Sequence, residues 1–174
     1  MNKIIVTTLG CLLLTGTFVT AQHVMPPGMS HEEHLRQLKK EQALKERGLL
    51  AMGFDQDASE HHFLLFANGG AIVVVSKDPE NRKLVGEIRS HLQEIAKAFA
   101  EGIFDKPVAT HDELPPGAGV MRDQQKAIIY RYVEHPAGGR VVIETADLAV
   151  LKSVHDFLRY QITEHKTGDS LSVQ

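Results

Sequence analysis

The chain has 174 residues, of which 43% are hydrophobic, so it is long enough to form one domain with a substantial core. A formal charge of −3 at pH 7 predicts neither a nucleic-acid-binding surface nor a basic membrane-binding patch. Ten histidines are many for this length, and they are the feature of the composition that points towards chemistry.

The chain begins with the features of a secretory signal peptide. Lys3 provides a positive charge, residues 4–14 form an apolar run, and residues 19–21 form a small-residue cleavage site. We therefore expect cleavage after Ala21 and a periplasmic or secreted protein. No transmembrane segment is expected, because the apolar run is too short to span a bilayer. A lipoprotein signal ending at Cys11 is the alternative, but the apolar stretch before it would be very short.

Loss of residues 1–21 has a chemical consequence. It removes Cys11, the single cysteine, so the mature protein has no disulfide and no thiolate ligand. Any metal must then be held by nitrogen, oxygen or thioether groups.

Residues 22–48 are expected to form a flexible amino-terminal segment that contains a polar helix. Ser30 and Glu33 have the spacing of a capping box, which predicts a helix from His31 to about Arg47. Apolar positions are sparse along it, so this helix should be exposed or loosely docked. The single compact domain is expected over residues 49–174.

The first half of this domain reads as strand, strand, helix. Residues 63–66 and 71–75 are apolar runs separated by Asn68-Gly69-Gly70, which is typical of a β-hairpin turn. Asp78 as cap and Pro79 in the first turn predict the start of the helix. Its core-facing positions follow at helical spacing: Leu84, Ile88, His91, Leu92, Ile95 and Phe99.

The second of these strands is apolar at every position from 71 to 75, which indicates burial on both faces. A helix layer covers only one face of a sheet. The other face is expected to be covered by the amino-terminal helix or by a second subunit, and a homodimer is therefore a predicted partner.

A long loop rich in proline and glycine is predicted over residues 106–121. The strand, strand, helix pattern then returns. Residues 128–134 and 141–144 are predicted strands joined by a turn. The final helix should begin at Thr145 or Asp147 and end at Gly168. Its apolar face is interrupted by one histidine: Leu148, Leu151, His155, Leu158 and Ile162.

The two halves are alike enough to predict an approximate internal duplication, since Gly69-Gly70 and Gly138-Gly139 occupy corresponding turns. Two β-β-α units predict an α+β two-layer sandwich. The expected architecture is a four-stranded antiparallel sheet with two helices on one face, plus the amino-terminal helix.

Several histidines lie where the predicted fold could bring them together. Imidazole is a general ligand for zinc, copper, nickel and iron, and histidine with thioether but no thiolate fits copper best among metals met outside the cytoplasm. We therefore expect a copper or zinc site between sheet and helices. Its candidate ligands are His61, His62, His91, His111, Met121 and His155. A separate surface chelate is the alternative, formed by His31 and His34 with His23, Met25 and Met29.

Each of these histidines also has a structural interpretation, because a buried neutral imidazole can simply be hydrogen-bonded. The leading functional hypothesis is an exported, non-catalytic metal-binding protein. The second is a periplasmic interaction or sensor module whose histidines are structural or pH-responsive. The third is a small hydrolase or isomerase that uses histidine and carboxylate, although no phosphate-binding loop or serine-elbow motif occurs.

The chain also resembles an uncharacterised family of small exported proteins from Gram-negative bacteria, over nearly the whole mature sequence. The resemblance implies secretion and one compact unit. It implies no activity, ligand or residue role. It rests on these segments: Met29–His34, Met52–Gln56, His61–Phe63, His111 with Pro115–Gly117 and Met121, and His155–Asp169.

Overall fold

The structure is a computed structural model that describes residues 28–174. The predicted signal peptide and its cleavage site lie outside the described residues. The α-helices are α1 (His31–Met52), α2 (Arg82–Ala100), α3 (Asp105–His111), α4 (Ala118–Asp123) and α5 (Leu148–His165). The strands are β1 (Ser59–Phe66), β2 (Gly69–Ser76), β3 (Ile129–His135) and β4 (Gly138–Glu144).

The four strands form one antiparallel sheet in the order β1-β2-β4-β3. Each half of the domain is a hairpin followed by a long helix, and the two hairpins join through β2 and β4, where Ile72 faces Val141. Helix α2 packs on β2, β3 and β4, whereas α5 packs on β1 and β2. The predicted α+β sandwich, with its four-stranded antiparallel sheet and additional amino-terminal helix, is therefore confirmed.

The core lies between the helices and the inner face of the sheet. Alternate residues of each strand point into it, as the period of two in a strand requires. All the α2 positions predicted to face the core are buried. The largest enclosed side chains are Leu65, Ile88, Leu92, Phe99, Met121, Ile143, Phe157 and Leu158.

Helix α2 begins three residues after the predicted Pro79. Its cap is Asn81, whose side chain accepts a hydrogen bond from the backbone N–H of Leu84. Asp78 instead accepts from the N–H of Glu80, which forms an Asx turn ahead of the helix. The Asp78 side chain is therefore engaged in this turn, and Asn81 takes the capping position that was predicted for Asp78.

The predicted long loop contains two short helices, α3 and α4, which place His111 and Met121 in the protein interior. Gly117 precedes α4 with φ at 81°, a left-handed conformation. A Cβ atom there would lie 2.0 Å from the carbonyl oxygen of Ser153, so the site requires glycine. The absence of a side chain at Gly117 therefore allows the start of α4 to pack closely against α5.

Helix α1 starts with the predicted capping box between Ser30 and Glu33, but it ends at Met52 rather than near Arg47. It packs mainly against α3 and does not form a layer on the outer face of the sheet. Val73 and Val75 on that face are half-buried, so β2 is not fully enclosed on both sides. Among residues 28–174, no helix is both long and apolar enough to cross a membrane.

Helix α5 has the predicted Asp147 cap, which accepts from the N–H groups of Ala149 and Val150. It ends when Lys166 adopts a left-handed conformation, two residues before the predicted Gly168. The buried face differs in the first turns from the predicted one, because Leu148 is 80% exposed. The core face is formed by Val150, Val154, Phe157, Leu158 and Ile162.

The chain after α5 runs along β1, which is an edge strand of the sheet. Asp169 Oδ2 accepts a hydrogen bond from the N–H of Phe63, and the N–H of Gln174 donates to the carbonyl oxygen of Leu65. The carboxyl terminus is thereby fixed beside the first strand.

Candidate metal site

Four imidazoles from four different elements line one pocket of about 70 Å³, which we call the histidine cavity. His61 comes from β1, His91 from α2, His111 from the end of α3 and His165 from the end of α5. The remaining wall is mostly apolar. Polar and sulfur-containing side chains also contribute: Met52, Lys106, Thr110 and Gln161.

Three of the rings form a continuous group with His165 at its centre. The ring centroids of His111 and His165 lie 5.1 Å apart and the rings are nearly perpendicular, at 84°. The centroids of His61 and His165 lie 6.0 Å apart, and these rings are nearly parallel. His91 is separated from this group by Phe54, whose ring contacts both His61 and His91.

The ring separations match those of imidazoles that share a metal ion. Metal–nitrogen bonds of about 2.0–2.1 Å place the centroids of two imidazole ligands roughly 5 to 6.5 Å apart, depending on the angle at the metal. Both contacts of His165 fall in this range. Within residues 28–174, however, no three His, Cys, Asp or Glu side chains are already arranged to hold a metal ion.

Several polar atoms of the residues that line the cavity have no hydrogen-bond partner. Nε2 of His61, Nδ1 of His91, Nδ1 of His111 and Nε2 of Gln161 are enclosed and unpaired. Such atoms are uncommon in folded proteins, because each forfeits its bonds to water. Either ordered water or a bound ligand in this cavity would supply the missing contacts.

The tautomer of His111 follows from the orientation of the Gln161 amide, whose oxygen lies towards the imidazole. Its Nε2 lies 3.0 Å from Oε1 of Gln161, an oxygen that can only accept, so Nε2 carries the proton. Nδ1 therefore holds a lone pair that is enclosed and unpaired. This is the form of imidazole that binds a metal ion.

Burial keeps the cavity imidazoles neutral. It lowers the pKa of His61 and of His91 to about 4, and that of His165 to about 3, with further lowering from neighbouring cationic or imidazole groups. Burial also lowers the pKa of His111, although the hydrogen bond to Gln161 acts in the opposite direction. Neutral imidazoles need no deprotonation before they bind a metal.

The structure thus brings together three of the six predicted ligands and leaves three elsewhere. Met121 is completely enclosed in the core on α4 and does not line the cavity. His62 points away from the cavity and pairs with Asp169. His155 Nε2 donates to the carbonyl oxygens of Phe66 and Gly69. His155 therefore stabilises the turn between β1 and β2.

His165 was missed by the sequence analysis, which did not extend the buried face of the final helix beyond Ile162. The signal was present, since His165 follows Leu158 and Ile162 at helical spacing. Gln161 was missed as well. Its role depends on the position of His111, which lies 50 residues away in sequence.

No family model matches the chain, and no curated protein or solved structure shows significant similarity to it. The candidate site is therefore interpreted from its own geometry.

Proposed function

We propose that this is an exported, non-catalytic protein that binds a copper ion in the histidine cavity. The observation that carries the proposal is the set of enclosed, unpaired imidazole nitrogens beside His165, at ring separations suited to a shared metal ion. His111 and His165 are the principal ligands, with His61 as a third. His91 and the thioether of Met52 lie in the same wall and complete the environment.

The size of the cavity favours an ion over an organic ligand. Pockets for ordinary small molecules measure about 300–1,000 Å³, whereas the histidine cavity measures about 70 Å³. That space holds an ion and a few waters.

The charge of the cavity favours univalent copper. Its lining contains no carboxylate, so a divalent ion would be placed in an apolar cavity without a balancing charge. Cu(I) carries one charge, is stabilised by imidazole and thioether ligands, and accepts two or three donors. Zinc is the second choice, because its sites usually have four ligands.

Metal analysis of the untagged protein tests this proposal. After incubation with Cu(I) and desalting, the wild-type protein should retain close to one copper per chain and unfold at a higher temperature than the metal-free protein. His165→Phe should remove both effects, since His165 belongs to both ring pairs.

The matched control is the double variant His31→Ala, His34→Ala, which removes the alternative surface chelate on α1. It should retain copper as the wild type does. Loss of copper from this control would show that the binding site is the surface chelate on α1 and not the histidine cavity. Absence of copper from the wild type would refute the proposal.

A further inference from the structure

A second cavity, which we call the polar cleft, lies beside the histidine cavity at the amino-terminal end of β1. It has a volume of about 460 Å³, and His61 and His165 contribute to the walls of both cavities. The two imidazoles therefore form the partition between an apolar pocket and a polar one. The polar cleft also contains His62, Glu60 and Asp57.

His62 is held in one orientation at this cleft. Its Nδ1 lies 2.9 Å from Oδ1 of Asp169. The carboxylate can only accept in its ionised form, so Nδ1 donates, and in the neutral form of the ring Nε2 carries the lone pair. The His62 side chain is 41% exposed, which leaves this lone pair within reach of a solute in the cleft.

Asp169 is itself fixed by three donors. The N–H of Phe63 and the hydroxyl of Thr167 both donate to Oδ2, while His62 donates to Oδ1. These contacts hold the carboxylate in the position from which it orients His62.

This arrangement is the one that supports metal-binding histidines. A histidine ligand usually donates its second N–H to a carboxylate, which fixes the ring and makes the other nitrogen a better donor to the metal. Two of the three lysines of the cleft are paired with carboxylates, whereas Lys77 donates to a backbone carbonyl oxygen and keeps its charge. Lys45 and Lys77 bind Asp57, and Lys166 binds Glu41.

We propose that the polar cleft is the loading site for the copper ion, with Nε2 of His62 as its first ligand. This inference rests on the proposed function. From His62 the ion passes to His165 and His61 in the partition. The transfer is a ligand exchange at constant oxidation state: a bond from copper to His165 forms as the bond to His62 breaks. No electron or proton is consumed.

The rate of loading tests the proposal. Cu(I) is supplied as its coloured bicinchoninate complex, and the loss of colour is followed by stopped-flow absorbance for the full mature chain. His62→Ala should slow transfer by at least about tenfold, because it removes the ligand itself, and loss of a ligand's supporting partner alone typically costs about 10–100-fold in metal affinity. The final copper content should be unchanged. Asp169→Asn should also slow loading, because it weakens the orientation of His62.

His135→Ala is the matched control, since His135 is an exposed histidine on β3, the opposite edge strand of the sheet. Its loading rate should equal that of the wild type. Wild-type loading rates in both His62→Ala and Asp169→Asn would overturn the loading site while leaving the histidine cavity intact. Loss of copper at equilibrium in His62→Ala would make His62 a resident ligand, which also overturns it. Failure of the wild type to bind copper would refute both proposals.

Discussion

The Nε2 atom of His155 lies 3.0 Å from the carbonyl oxygen of Gly69, across the turn of the first hairpin. A helix that arrives 86 residues later in the sequence thus fixes the turn joining β1 to β2. The polar group in the middle of the α5 sequence pattern is explained by this contact.

We predict that His155→Leu destabilises the protein by about 1–3 kcal/mol, because it leaves two carbonyl oxygens of the turn without their donor. Copper binding should not change, since His155 does not line the histidine cavity. Denaturant unfolding and metal analysis of the same sample measure the two effects. Loss of the copper-induced stabilisation in this variant would contradict the assignment.

The metal-free protein should lose stability as the pH falls from about 6.5 towards 4. Burial holds the pKa of His61 and of His91 at about 4 and that of His165 at about 3, whereas an unfolded histidine titrates near its ordinary value of 6.5. The unfolded chain therefore binds more protons in this window, and stability rises with pH through it. Each histidine contributes at most about 1.4 kcal/mol per pH unit.

Denaturant unfolding at several pH values between 4 and 7 measures that slope. His91→Phe should reduce the slope of unfolding free energy against pH by the contribution of one buried histidine. Replacement of the exposed His31 should leave this slope unchanged. A stability that does not vary over this window would show that the cavity imidazoles are hydrated.

We predict that Gly117→Ala destabilises the protein by about 2 kcal/mol or more, because the new methyl group meets the Ser153 carbonyl in a left-handed backbone conformation. Two other glycines are controls. Gly119→Ala has its nearest neighbour at 3.8 Å and should be tolerated. Gly86→Ala, at an exposed position in the second turn of α2, should stabilise by about 0.5–1 kcal/mol. Equal unfolding midpoints for the Gly117 and Gly119 variants would contradict the packing of α4 on α5.

Deletion of residues 22–47 should leave a domain that unfolds cooperatively but is less stable by about 2–4 kcal/mol. In α1 the buried residues are Leu44 and Gly48, and its ion pairs to α5 are exposed or half-exposed. Arg47 also donates to the carbonyl oxygen of Thr110. Thermal unfolding followed by circular dichroism measures the change. Leu44→Ala in the full chain measures how much of this loss comes from apolar packing of α1. A truncated protein without a cooperative transition would show that α1 is essential for folding.

Export is tested by the mass of the protein recovered from the periplasm. Cleavage after Ala21 predicts a mature chain that begins at Gln22. A lipid-modified chain beginning at Cys11 would contradict that prediction.

The fold could be predicted because its determinants are local. Asn68-Gly69-Gly70 defines the first turn, the capping pair Ser30 and Glu33 starts α1, and helical spacing identifies the core face of α2. Boundaries were less accurate where two local bonds compete, as Asp78 and Asn81 do before α2.

The candidate site was only partly predictable, because it depends on contacts between distant segments. A histidine on an apolar helical face can point to a cavity, as His91 does, or to a backbone turn, as His155 does, and the two cases have the same sequence pattern. His165 lies at the carboxyl end of α5. Its partners are His61 and His111, which lie 104 and 54 residues earlier in the chain.

The course of the carboxyl terminus also bears on how copies of this protein can associate. An edge strand with exposed N–H and carbonyl groups is a template for another strand, and so for aggregation. Along β1, the carboxylate of Asp169 and the backbone of Gln174 already occupy two of these groups, and neither continues the sheet as a strand. The same aspartate that orients His62 therefore occupies one of the backbone groups with which an added strand would have to pair.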